Sequence, residues 1–202
     1  MKCGKLYLVL LMLLTITPLA FANPMQILGA AERVLAILES LQSQKNLDEI
    51  KERQLIDLMG DIRGVITTLS EVSGFTETSR QERVYENSLI PLGQSLDKSY
   101  SLAEMLLRDG KITVATHLIS SFEQLSTLKK QVLVELGQTS VANSFQQNAD
   151  QKRNNLEAAK KVACDKKILT VTDNNTTKLK LVLQIWYLTA FDREDLEECK
   201  KK

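Results

Sequence analysis

Apolar residues recur along most of this chain at intervals of three and four, the period of an amphipathic helix. Ile27, Leu28, Ala31, Val34, Leu35, Leu38 and Leu41 form the first stripe, with Pro24 placed where a helix start tolerates proline. Asn46 then opens a second helix, and Glu49, three residues on, completes a capping box. The buried face of that helix reads Leu55, Leu58, Met59, Ile62, Val65, Ile66 and Leu69, and Gly74 closes it. Gly60 and Gly64 lie four apart inside it. Each costs about 1 kcal/mol relative to alanine, and close backbone packing against a neighbour would account for the pair.

Ser79 and Glu82 form a second capping box ahead of a third stripe: Val84, Tyr85, Leu89, Leu92, Leu96, Tyr100, Ala103, Leu106 and Leu107. Pro91 interrupts the middle of this helix, but the stripe keeps its phase across it, which predicts a kink and not a break. Asp109-Gly110 is a turn. Val114, Leu118, Ile119, Phe122, Leu125, Val132, Leu133 and Leu136 make a fourth helix, which Gly137 stops.

From Thr139 to Ala163 the seam thins to Val141, Phe145, Ala149, Leu156, Ala159 and Ala163 between Asn, Gln and Lys residues. So polar a helix belongs on the outside, packed along one narrow edge. Asp165 to Thr177 breaks the pattern, and Ile168, Leu169 and Val171 read as a short extended piece. The last stretch, Lys178 to Cys199, is apolar nearly all round and holds the only tryptophan, Trp186. This predicts a buried, central helix. The pattern as a whole predicts an all-α fold: an elongated bundle of five or six long helices, mostly antiparallel, with one disulfide.

The first 22 residues stand apart. Lys2 and Lys5, the apolar run Leu6 to Leu14, and Ala20-Phe21-Ala22 have the layout of a cleavable secretory signal. The run is shorter than the ~20 apolar residues of a membrane span. The expected organisation is a signal peptide over 1–22 and a single helical-bundle domain over 23–202, exported and without a transmembrane segment. Loss of Lys2 and Lys5 takes the 26 basic side chains to 24, against 25 acidic ones. No overall basic footprint for nucleic acid is left.

Cys3 leaves with the signal, so Cys164 and Cys199 remain, and an oxidising compartment pairs them. The closed loop of about 35 residues is worth roughly 3–4 kcal/mol in the chain-entropy model. If Cys164 ends the fifth helix, a bond to Cys199 requires residues 165–177 to run back along the bundle. The last two helices would then be nearly parallel, joined by a crossover. Asn174 and Asn175 begin overlapping glycosylation sequons inside that loop.

Catalytic chemistry finds few residues. The single histidine, His117, sits beside Leu118 and Ile119 and reads as a satisfied, partly buried side chain. No nucleophile elbow, Walker loop or dinucleotide fingerprint occurs. No catalytic, cofactor-binding or metal-binding residue is assigned. Glu194, Asp195, Glu197 and Glu198, followed by Lys200 to Lys202, read as a charged, frayed helix end.

Two functional classes follow. The first is an extracellular interaction protein that works by binding another protein or a cell-surface receptor. The second is a helical carrier of a small apolar ligand or lipid, with Met59, Met105, Tyr85, Tyr100, Phe122, Trp186 and Tyr187 as lining. A signal ending in Ala-Phe-Ala, a helical chain of this size, one late cysteine pair and a Lys-rich tail resemble the small secreted proteins of blood-feeding insects. In general design the chain is most similar to the mosquito salivary neutrophil-stimulating factors. That resemblance implies a salivary effector acting on host leukocytes, and it carries over no site residue; with the lack of catalytic residues, the expectation is a non-enzymatic protein that binds or stimulates host immune cells or host proteins.

Overall fold

Helix α1 spans Pro24–Ser43. It is followed by α2 (Glu49–Ser70), a 3-10 turn (Glu71–Gly74), α3 (Thr78–Arg108), α4 (Ile112–Glu135), α5 (Thr139–Asp173) and α6 (Ala190–Lys200). The structure is a computed structural model and describes residues 24–43, 47–173 and 190–201. The signal segment 1–22, Asn46, the sequons at Asn174 and Asn175, and the apolar run 178–189 with Trp186 lie outside the described residues. The fold is an all-α bundle with one disulfide. At ~1.5 Å per residue, the 31 residues of α3 and the 35 of α5 reach roughly 46 and 52 Å, which makes the bundle elongated.

Helices α1 to α4 form a square. Each packs on its neighbours in the order α1, α2, α3, α4 and back to α1, and among the described residues the backbones of diagonal pairs do not approach closely. Lys98–Asp61 (2.6 Å) and Lys51–Asp109 (2.5 Å) join α2 to α3 and its end with antiparallel register. Helix α4 is the hub of the described residues, since it touches α1, α3, α5 and α6. It buries twelve residues, including Leu118, Phe122, Leu125 and Leu128. Among the described residues the central helix is therefore α4; the apolar part of the helix expected at the centre, 178–189, lies outside them. The described part of the last helix, α6, lies at the edge against α4 and α5.

The breadth of the α4 core has a cause that the apolar pattern conceals. Ser121 and Ser126 are buried, each donating its hydroxyl to a carbonyl one turn back, His117 O at 3.0 Å and Phe122 O at 2.8 Å. On α3, Ser88, Ser95 and Ser99 are fully buried as well. Ser88 and Ser95 bond within their own helix, whereas Ser99 Oγ donates across to Leu118 O at 3.1 Å. A buried hydroxyl is costly without a partner. With one, its small size lets two long helices approach.

Helix α3 runs unbroken through Pro91, in line with the phase of its stripe. Gly110 and Gly137 end their helices with φ of 70°, a conformation that favours glycine. The caps differ from the capping-box expectation. Asp48, not Asn46, caps α2 and accepts the Lys51 amide at 3.0 Å. Helix α3 starts one residue before Ser79, at Thr78, with Glu77 as its N-cap and no side-chain cap bond. Instead Gln81 Nε2 reaches back to Phe75 O at 2.6 Å. Gly60 and Gly64 do not mark a close approach: both are exposed, and an added Cβ would meet nothing within 4 Å.

The region after Ala163 departs most from expectation. Residues 165–173 are helical, continuing α5 to Asp173, and not extended. Isoleucine, threonine and valine cost a helix only a few tenths of a kcal/mol each, and extending an existing helix avoids a new nucleus. The seam of α5 is also rotated at its start, with Ala142 buried and Val141 half exposed at 51%. Among the described residues no helix is long and apolar enough to cross a membrane.

Candidate functional site

Polar groups converge at two places, the junction of α6 with α4 and α5, and a cleft between α3, α4 and α5. At the junction Cys164 and Cys199 form a disulfide with Cα atoms 5.5 Å apart. Lys160 Nζ meets Glu198 Oε1 at 2.9 Å, and Lys167 Nζ meets Asp195 Oδ2 at 2.7 Å. As residue numbers rise along α5, those of the partners on α6 fall from 198 to 195. The described parts of the two helices are therefore antiparallel where they touch, and residues 165–173 do not form the returning strand of a parallel crossover. The bond needs no returning strand because Cys164 is not a helix end. Helix α5 runs on for nine residues to Asp173, and α6 comes back alongside it.

Asp195 is the centre of the junction. It is 3% exposed, and its Oδ1 accepts the backbone N–H of Thr113 at 2.7 Å. Thr113 lies in the first turn of α4, where amides have no partner inside the helix. Lys111, the residue at the N-cap position, does not cap the helix with its side chain. A carboxylate 82 residues away thus caps α4, and its charge suits the positive end of the helix. Lys167 adds a bond to Gly110 O at 3.2 Å, tying the same turn.

Glu198 is equally constrained. Burial pushes its carboxyl pKa up, but hydrogen bonds from Lys201 and Lys160 more than reverse this and hold it at about 2. The acidic tail is therefore not a frayed end: two of its four carboxylates are built into the fold. No group of three or more His, Cys, Asp or Glu side chains among the described residues is arranged to hold a metal ion.

The second place is a surface cleft of about 450 Å³ between α3, α4 and α5. Leu96, Phe122 and Ala149 form its apolar floor, and the Phe145 ring lies 5.1 Å below the Lys129 ammonium. Tyr100 and Phe122 rings meet beside it at 5.9 Å in a tilted pair. Lys152 bridges the rim, bonded to Asp97 at 2.9 Å and lying 5.4 Å from the Tyr100 ring centre. Burial lowers the Lys129 pKa from its ordinary value.

Of the residues singled out from the sequence, Cys164 and Cys199 are brought together. His117 is exposed on α4, not partly buried. Among the carrier residues, Met59, Tyr85 and Phe122 are core, Tyr100 and Met105 are half-buried, and Trp186 and Tyr187 lie outside the described residues. Asp195, Lys167, Lys160 and Lys129 were not singled out for these roles. The signal for the first three was the run of acids around Cys199 facing the lysines around Cys164. Lys129 had none. Comparison of the chain with family models, with curated proteins and with solved structures gives no match.

Proposed function

We propose that this chain is a secreted, non-enzymatic interaction protein, an insect salivary effector that binds or stimulates host immune cells or host proteins. The observation that carries the proposal is the Cys164–Cys199 disulfide, set among partly buried ion pairs. Such bonds persist in oxidising, extracellular surroundings and are rare in the cytosol. Lys2, Lys5, Leu6 to Leu14 and Ala20-Phe21-Ala22 add the layout of an export signal. The salivary part rests on the resemblance in size, cysteine pair and tail to proteins of blood-feeding insects. A long polar helix on the outside, α5, gives an extended face on which a protein partner could dock.

The test has two stages. N-terminal sequencing of the exported protein is expected to begin at or near Asn23, and a membrane-bound chain that keeps Leu6 to Leu14 would end the secreted reading. The purified protein is then applied to host leukocytes, with binding and activation measured for wild type and for His117→Ala. Both are expected to bind and act equally. A folded His117→Ala protein without activity would reopen an enzymatic role, and wild type that neither binds nor activates any leukocyte would remove the effector role.

A further inference from the structure

The Lys129 cleft carries an inference independent of any protein partner. Lys129 is half-buried on α4, and it lines this cleft. Lys129 Nζ has no hydrogen bond or ion pair among the described residues; it lies over the face of Phe145, 5.1 Å from the ring centre. The neighbouring charges are Asp97 and Lys152, and they already satisfy one another at 2.9 Å. One positive charge is therefore left over above an apolar floor.

Gly93 fits the same geometry. An added Cβ there would lie 3.1 Å from Lys129 Nζ, so the glycine makes room for the ammonium. A glycine inside a helix is disfavoured relative to alanine, and this position gives a reason for it. At about 450 Å³ the cleft is within the range of small-molecule sites.

We infer that this cleft binds a small amphiphilic carboxylate, with the carboxylate on Lys129 and its apolar body against Leu96, Phe122 and Phe145. An anion would give the ammonium a charged partner, and Phe145, the partly exposed ring of the lining, would shed water on contact with an apolar chain or ring. A linear fatty acid and an aryl carboxylate share this chemistry, and separate probes distinguish them.

The full mature protein would be titrated with decanoate and with 2-naphthoate, following backbone amide signals by NMR. Binding of either acid is expected to shift Gly93, Lys129 and Phe145 together. Lys129→Met keeps the stem and removes the charge, and it is expected to weaken binding roughly tenfold or more. Lys129→Arg should retain most of it, and Gly93→Ala should weaken it by displacing the ammonium. Decanol, which lacks the charge, should bind more weakly and be indifferent to Lys129→Met. Circular dichroism establishes that each variant is folded. The proposal fails if neither acid shifts these signals at millimolar concentration. It fails equally if folded Lys129→Met binds the acids like wild type, or if decanol binds as tightly as decanoate.

Discussion

Helix α4 and helix α5 lie side by side but are fixed by different forces. Helix α4 buries twelve of its 24 residues and meets four other helices. Helix α5 is longer, at 35 residues, yet its described buried side chains are only Ala142, Ala149, Leu156 and Cys164. What α5 lacks in apolar area is supplied at its far half by a disulfide and by Lys160 and Lys167, which fasten α6 onto it. The square of α1 to α4 is a core in the ordinary sense; α5 and α6 are fastened to its outside. A thin apolar seam gives weak, slippery docking, and discrete bonds then set the register.

The strongest way to break this contrast is to remove core from the hub. Phe122→Ala should cost about 3–5 kcal/mol, since the ring is 2% exposed and pairs with Tyr100. Urea denaturation is expected to show the whole bundle shifting as one transition. A loss below about 1 kcal/mol would mean that α4 is not the hub.

Opening the staple should act more locally. Cys199→Ser is expected to lose up to roughly 3–4 kcal/mol of the stability of the α5–α6 junction. Hydrogen exchange should accelerate in α6 and the end of α5, with the amides of α2 and α3 little changed. Uniform acceleration across the chain would erase the distinction between the two regions.

Acid sharpens the same comparison. The Glu198 carboxyl is held at about 2, below its ordinary 4.5. Its stabilisation is therefore complete above about pH 4.5 and is lost as the pH falls towards 2. Discounted for its exposed partner Lys201, the effect is about 2 kcal/mol. Exchange of the α6 amides should rise across that window in wild type, and Glu198→Gln should flatten the response. An unchanged pH profile in the variant would show that Glu198 does not fasten the helix.

The smallest effect is on the outside of the square. Gly60→Ala and Gly64→Ala should each stabilise by up to about 1 kcal/mol, because nothing stands where the methyl group would go. Denaturation midpoints measure this directly, and destabilisation would mean that another surface covers this face of α2.

Legibility in the sequence followed the range of the interaction. The helical periods of α1 to α4, the stop at Gly137, the passage through Pro91 and the pairing of Cys164 with Cys199 could be read directly, because each depends on neighbours within a turn or on a choice with one outcome. Asp195 could not be read. Its role as the cap of α4 joins residues 82 apart, and in the sequence it is one more acid in a charged tail. The hub was hidden for a related reason: Ser99, Ser121 and Ser126 count as polar until carbonyl partners make their burial inexpensive. The continuation of α5 to Asp173, against the β-branched residues in it, was decided by helix propagation and by the contacts of Lys167. Local periodicity thus determined which segments are helices and which faces are apolar. Tertiary packing decided which of the described helices is central, which way α6 runs against α5 and which carboxylates are structural, since burial and long-range hydrogen bonds exist only once the chain has folded.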